Sequence, residues 1–299
     1  MLTNFRKRTA LLLSLAVVCA SVALVPSTAS AAASKVANAG TTTDPYLAPA
    51  STTAMKACPG SSAAAAGFTD TTSTDVDCIK MFGVTTGKTA TTYDPSGTIS
   101  RQDMARFIHR MFVPTGVAAA GATAVPAFTD IAHVDAGGTA AITALASHGI
   151  TLGTTATTFS PDDNVTREQM AMFLNRYASI AKDHAGAAIA AIPAATGEYN
   201  YSDIAGTSWE GMESIIRLFN LGVTEGNCLA AACGTTYRPS DNITRAEMAS
   251  MLNSLLNHTN ARPAGVTIQS VEGFAAAGAK TTLISARNAD FTANINAQI

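Results

Sequence analysis

Thr244-Arg245-Ala246-Glu247-Met248-Ala249 is the stretch that decides the fold of this 299-residue chain. Two related stretches precede it, Ser100-Arg101-Gln102-Asp103-Met104-Ala105 and Thr166-Arg167-Glu168-Gln169-Met170-Ala171. In each copy a proline stands six residues before the arginine, as Pro95, Pro161 or Pro239. An internal repeat of this kind indicates that one structural unit is used three times. We therefore expect the arginine to have the same role in each of the three units.

Each arginine follows a residue that can cap a helix. Thr166 with Gln169 and Thr244 with Glu247 form capping boxes, in which the hydroxyl and the residue three positions later satisfy each other's backbone N–H groups. Ser100 with Asp103 is a weaker version. The residues behind the caps are apolar at helical spacing and predict buried stripes: Met104, Phe107, Ile108 and Met111; Met170, Phe173, Leu174 and Tyr177; Met248, Met251, Leu252 and Leu255.

A second helix is predicted earlier in each copy. It follows an aspartate (Asp70, Asp130 or Asp203) and stops at a glycine turn beginning with Gly83, Gly149 or Gly222. In the third copy its apolar stripe is Trp209, Met212, Ile215, Ile216 and Phe219. Two helices cannot bury such stripes alone, so we expect a mainly α domain in which three helix–loop–helix units, at 67–113, 127–181 and 199–258, pack together.

The C-terminal segment 264–299 has a different character. Val266, Ile268 and Val271, followed by Leu283 and Ile284, are typical of short strands separated by Gly-Ala turns. About 36 residues are too few for an independent β-domain. We therefore expect a short β-like segment that is completed by further chain or by a partner.

The N-terminal residues predict export. Residues 1–31 combine the basic Arg6-Lys7-Arg8, an apolar stretch and the small residues Ala29-Ser30-Ala31, as in a signal peptide, and 32–66 is a low-complexity segment. Removing the signal changes the formal net charge from −2 to −5, which argues against nucleic acid as a partner. No later stretch is long and apolar enough for a transmembrane segment.

Four cysteines remain after the signal is removed, namely Cys58, Cys78, Cys228 and Cys233. An even number in an exported chain predicts disulfides. Three pairings are possible, and we favour the local pairs Cys58–Cys78 and Cys228–Cys233. The spacing of the cysteines does not resemble a zinc site.

The sequence contains no pattern typical of an enzyme. The histidines are scattered, and we find neither a nucleophile elbow nor a phosphate-binding glycine loop. We therefore predict no cofactor, no metal site and no enzymatic activity.

Taken together, these motifs resemble the S-layer homology domain, with Ile243-Thr244-Arg245-Ala246-Glu247 as the best match. The small residues and paired cysteines are similar to actinobacterial versions of the family. The resemblance implies a pseudo-threefold spindle of three repeats at the cell surface. It also implies grooves that hold a cell-wall polysaccharide or a peptidoglycan-linked polymer, often with a ketal-linked pyruvate.

The resemblance implies ligand contacts in the grooves by Arg101, Arg167 and Arg245, with Asp70, Asp130, Asp203 and Trp209 as lining residues. An arginine in the first turn of a helix lies beside free backbone N–H groups. The guanidinium and these N–H groups together favour the binding of an anion. The same arginines could instead pair with the aspartates of neighbouring units and stabilise the fold. Because only the third copy has the tryptophan, we expect the third groove to be the most competent.

The sequence is compatible with three functions. The first is a non-catalytic, secreted module that anchors a protein to cell-wall glycan. The second is a structural protein that assembles into a surface layer. The third is the targeting region of a longer secreted enzyme or adhesin.

Overall fold

The computed structural model describes residues 55–60, 62–183, 186–187, 189, 201–224, 236–272 and 280–293. The predicted signal peptide and the pair Cys228 and Cys233 lie outside the described residues, as does most of the low-complexity segment. The helices are α1 (Thr74–Met81), α2 (Arg101–Arg110), α3 (Phe112–Thr115), α4 (Ala136–Ser147), α5 (Arg167–Ala178), α6 (Trp209–Asn220) and α7 (Arg245–Asn257). Two strands follow, β1 (Gly265–Glu272) and β2 (Lys280–Arg287). The described chain is thus mostly helical, as predicted.

The helix ends follow the signals in the sequence. Thr166 and Thr244 make the predicted capping boxes, whereas Ser100 only accepts from the Asp103 N–H at 3.3 Å. Gly83, Gly149 and Gly222 follow the ends of α1, α4 and α6 and have φ angles of 70°, 69° and 67°. This left-handed backbone conformation has little steric cost only for glycine, so these residues terminate the helices.

One hydrophobic core is shared by all the long helices. The arginine-led helix of each copy packs on the first helix of the next copy: α2 on α4, α5 on α6, and α7 back on α1. The residues just before the arginine-led helices also pair, through the isolated bridges Ser100–Asn164, Thr166–Asn242 and Thr98–Thr244. The contacts therefore return from the last copy to the first, and each copy covers apolar surface that its neighbour leaves open.

The first copy differs from the other two. Its helix α1 has 8 residues, whereas α4 and α6 have 12 each, which is a loss of about one turn. The predicted Cys58–Cys78 disulfide is present and ties α1 to the preceding segment. Pro114 and Thr115, which lie beyond the predicted first unit at 67–113, form the end of α3. Both are buried there, and the Thr115 hydroxyl contacts the Tyr177 hydroxyl at 2.6 Å.

The C-terminal strands form an antiparallel hairpin in which Ile268 pairs with Ile284. Gln269 points toward the helical body and donates to the Lys56 carbonyl at 2.9 Å. The opposite face of the hairpin leaves Val266 and Ile268 exposed. A short β-like segment is therefore confirmed.

We expect removal of the disulfide by Cys58→Ala with Cys78→Ala to lower the free energy of unfolding by about 3 kcal/mol, as expected for two cysteines 20 residues apart. Urea denaturation measures the loss. Reductant should destabilise the wild-type protein by a similar amount and leave the double variant unchanged. A double variant as stable as the oxidised wild type would contradict the assignment.

His258, directly after α7, should make stability depend on pH. Burial lowers the pKa of His258 to about 4, against an ordinary value of 6.5, although a hydrogen bond to the Leu221 carbonyl favours the charged form. The unfolded chain therefore takes up the proton first as the pH falls. This contribution to stability is complete above about pH 6.5 and is lost progressively between pH 6.5 and 4, by up to about 3 kcal/mol.

Urea denaturation between pH 7 and 4 tests this expectation on the wild type and on His258→Gln, which can still donate to the carbonyl. The variant should have a flatter profile in this range. Parallel profiles for the two proteins would contradict it. Both proteins should lose stability below about pH 4, where aspartates with lowered pKa values, such as Asp70, take up protons.

Candidate functional site

The three predicted arginines occupy equivalent and buried positions. Arg101, Arg167 and Arg245 are the first residues of α2, α5 and α7 and are only 3%, 3% and 4% exposed. Each lies against a turn of the next copy that is formed by an aromatic residue, one further residue and the repeated proline; we call it the aromatic turn. Arg101 lies against Phe159, Arg167 against Tyr237, and Arg245 against Tyr93.

Each guanidinium is held by the neighbouring copy in the same way. Its Nε donates to the carbonyl of the aromatic residue at 2.7 Å in all three cases. Its Cζ lies 4.7–4.8 Å from the centroid of that residue's ring. An arginine over an aromatic face gains a cation–π interaction that is stronger when water is excluded. These arginines therefore join adjacent copies.

The N–H groups at the start of each helix are also occupied. The Arg101, Arg167 and Arg245 N–H groups each donate at 2.9 Å to a carbonyl of the next copy, and the following N–H donates to that copy's proline carbonyl. The third N–H donates to the cap hydroxyl. The expectation of free N–H groups beside the arginines is wrong, because the neighbouring turn fills the place an anion would take. Any ligand must be held by side chains instead.

The predicted aspartates lie beside the same turns, and their carboxylates hold the shape of the turns. Asp70 accepts from the Tyr93 and Asp94 N–H groups at 2.8 and 2.7 Å, and Asp130 and Asp203 do the same for the second and third copies. The residue after the aromatic has a positive φ in every copy, between 55° and 61°, although none is glycine: Asp94, Ser160 and Arg238. Two N–H groups bound by one carboxylate stabilise this strained turn.

The electrostatics of the turns agree with this geometry. Hydrogen bonds from the Tyr93 and Asp94 N–H groups lower the pKa of Asp70. Burial raises the pKa of Asp130, but the hydrogen bonds from Phe159 and Ser160 outweigh it, so the pKa is again below the ordinary value. Both carboxylates are therefore charged acceptors near neutral pH.

The three arginines differ in what completes their environment. Arg167 forms an ion pair with Glu247 at 2.8 Å, and the same carboxylate also pairs with Arg238 at 3.0 Å. Arg101 has a buried Nη2 with no acceptor among the described residues. The hydroxyls of Tyr93 and Tyr237 donate to the backbone carbonyls of Arg245 and Arg167. Phe159, the aromatic residue beside Arg101, has no hydroxyl and cannot make this bond. Arg245 borders an open cavity.

The Arg245 cavity has a volume of about 260 Å³. It lies between the start of α7 and the first copy, and its lining residues are Thr85, Thr86, Gly87, Lys88, Asp103, Arg106, Phe107, Arg110 and Arg245. Asp103 and Asp135 neutralise Arg106, at 3.0 and 2.6 Å. Arg245, Arg110 and Lys88 then leave an excess of positive charge. Burial and the adjacent Arg106 lower the pKa of Arg110, in agreement with an environment short of carboxylates.

Trp209 is not part of the Arg245 cavity. It is the first residue of α6, and its side chain is 75% exposed rather than within the buried stripe in which the sequence analysis placed it. Its chain neighbours Ser208 and Glu210 contact Glu168 and Arg176 on α5. The tryptophan of the third copy therefore stands beside the second copy, and the arginine of the third copy faces the first.

The geometry can now be compared with known proteins. Two segments match the family model of the S-layer homology domain. They are residues 127–171, which run from the start of the second copy into α5, and residues 234–249, which contain the turn and arginine of the third. Comparison with curated proteins gave no match. S-layer homology domains are non-catalytic and attach proteins to cell-wall polymers, so the matched segments indicate a cell-surface function.

Lys88, Arg106 and Arg110 were missed by the sequence analysis. Arg106 and Arg110 are four residues apart on α2 and so share one helix face, which could have marked them. Their place beside Arg245 depends on how distant copies pack, which local spacing does not reveal. Within the described part of the chain there is no cluster of metal-binding side chains, and no helix there is long and apolar enough to cross a membrane.

We expect Asp70→Asn to lower the free energy of unfolding, because the amide loses the charge and offers only one good acceptor for two N–H donors. Urea denaturation at pH 7 measures the effect. Asp163→Asn is the matched control, since that aspartate is exposed like Asp70 but its carboxylate holds no backbone N–H group among the described residues. If both substitutions change stability equally, Asp70 does not hold the turn.

Proposed function

We propose that the protein is a non-catalytic anchoring module that binds an anionic cell-wall polysaccharide through the Arg245 cavity. In this proposal residues 1–31 are an export signal, and the copies at 67–113, 127–181 and 199–258 are S-layer homology repeats in a pseudo-threefold spindle. The observation that carries it is the unneutralised charge of Arg245, Arg110 and Lys88 around one open cavity. The matched segments support the same class of function.

The chemistry of the cavity favours an acidic sugar. Arginine side chains bind carboxylates with paired hydrogen bonds, and Lys88 adds a mobile charge at an exposed position. At about 260 Å³ the cavity is at the small end of ligand sites. It therefore suits one acidic sugar unit, such as one with a ketal-linked pyruvate, rather than a long stretch of polysaccharide.

The other two grooves are weaker candidates in this proposal. Near Arg167, Glu247 pairs with both Arg167 and Arg238, and Asp241 also pairs with Arg238, so two carboxylates balance the two arginines. Around Arg101, Thr154 stands at the position that Lys88 has in the first copy, and Arg176, at the position of Arg110, is paired with Glu210. Arg167 and Arg101 therefore act mainly in the fold, and the family's three-groove pattern is reduced here to one strongly cationic cavity.

Arg110→Gln tests the proposal with a matched control. Arg110 donates to the Val84 carbonyl at 3.3 Å, and Arg176 in the second copy donates to the equivalent Ile150 carbonyl at 3.0 Å. Only Arg110 lines the Arg245 cavity. In co-sedimentation with purified cell-wall sacculi, we expect Arg110→Gln to weaken binding about tenfold, the loss of one charge-assisted contact, and Arg176→Gln to leave it unchanged.

Two further arms identify the ligand chemistry. Lys88→Gln, at an exposed residue, should weaken binding and its salt dependence without changing the melting temperature. Amidation of the carboxylates on the sacculi with a carbodiimide and ammonia should abolish binding. Equal binding by wild type, Arg110→Gln and Lys88→Gln would reject the cavity as the site. Ordered sheets formed by the purified protein without cell wall would favour the surface-layer alternative.

A further inference from the structure

A second cationic cavity lies where the helical body meets the hairpin. Its volume is about 160 Å³, and its lining residues are Asn260, Arg262, Leu283, Ile284, Ser285, Ala286, Arg287 and Ala293. It shares no residue with the Arg245 cavity. We call it the Arg262 cavity.

Arg262 is 1% exposed, yet its hydrogen bonding is incomplete. Its Nη1 donates to the Thr259 carbonyl at 3.0 Å and to the Ala261 carbonyl. Its Nε and Nη2 have no acceptor among the described residues. These two N–H groups lie on the same side of a guanidinium and form the fork that binds both oxygens of a carboxylate. The unused side of Arg262 is therefore the side suited to an oxyanion.

Arg287 adds a second donor to the same cavity. Its Nη2 donates to the Asn260 carbonyl, while its Nε is buried without an acceptor in the described part of the chain. No carboxylate is among the lining residues. Burial and the adjacent Arg287 lower the pKa of Arg262 to about 10. A buried arginine beside a half-buried one, each with unmet donors, destabilises a fold unless an anion compensates the two charges.

Apart from Asn260 and Ser285, the rest of the cavity wall is apolar. Leu283, Ile284, Ala286 and Ala293 contribute aliphatic surface beside the two guanidinium groups. An inorganic phosphate or sulfate would leave this surface without a partner. A carboxylate on a short aliphatic body would use both the donors and the apolar wall.

We propose that the Arg262 cavity binds a small aliphatic carboxylate, with Arg262 as the bidentate donor and Arg287 as the second. The ligand is either a free short-chain acid or the C-terminal carboxylate of a peptide, since the recognised group is the same. The site is independent of the glycan-binding function proposed for the Arg245 cavity.

Calorimetric titration of the full chain with propanoate tests the site, and N-acetyl-alanyl-alanine in a parallel arm presents a peptide terminus. At least one should bind saturably, and the tighter of the two identifies the source. Propanamide, which has the same shape without the charge, should not bind. Arg287→Gln should weaken carboxylate binding about tenfold, the loss of one charge-assisted contact. Arg176→Gln, at a residue that lines neither cavity, should bind carboxylate like the wild type.

Thermal unfolding distinguishes a binding arginine from a structural one. Without ligand, Arg287→Met should raise the melting temperature, because it removes a like charge from beside Arg262. With propanoate, the wild type should gain stability and Arg287→Met should not. A lower melting temperature for Arg287→Met together with unchanged binding would overturn the proposal. So would failure of both carboxylates to bind, or equal binding of phosphate and propanoate.

Discussion

The fold depends on one interaction, the insertion of an arginine from each copy into the aromatic turn of the next. The guanidinium donates to the turn's carbonyl and covers its ring, and the N–H groups beside it donate to the same turn. A helix start that is buried needs acceptors for these N–H groups. Here the acceptors for the first two N–H groups come from a neighbouring copy, and only the third is the copy's own cap hydroxyl. The helices of one copy are therefore complete only when the next copy is in place, which makes folding cooperative across the copies.

That arrangement determines where a ligand can bind. Because the neighbouring turn already satisfies the helix start, an anion cannot use the backbone N–H groups and must rely on side chains around the groove. Those side chains differ among the copies. Glu247 and Asp241 balance Arg167 and Arg238, whereas Arg110 and Lys88 leave the Arg245 cavity positive. The framework is thus repeated within the chain, and under the proposed function a few residues outside the repeated motif decide where a ligand binds.

The sequence predicted what is local. Caps at Thr166 and Thr244, the glycine stops and the buried stripes were read correctly because each depends on residues within one or two turns. Trp209 was misplaced because helical spacing cannot show that the first residue of α6 faces solvent. The Arg245 cavity was missed in part because Arg245 and Arg110 come from opposite ends of the repeat region. Only the closure of the last copy on the first brings them together.

Under the proposed function, Arg245 therefore has a structural role and a binding role that a simple substitution cannot separate. Its Nε and ring contacts join the third copy to the first, while the same side chain lines the cavity. Removal of Arg245 would open this junction as well as remove a charge, so lost binding after that change alone would not identify a ligand contact. Arg110 and Lys88 lack the ring contact and the helix-start position of Arg245. The charge of the cavity can be altered at these residues while the arginine that holds the copies together stays in place, and ligand recognition can diverge without loss of the fold.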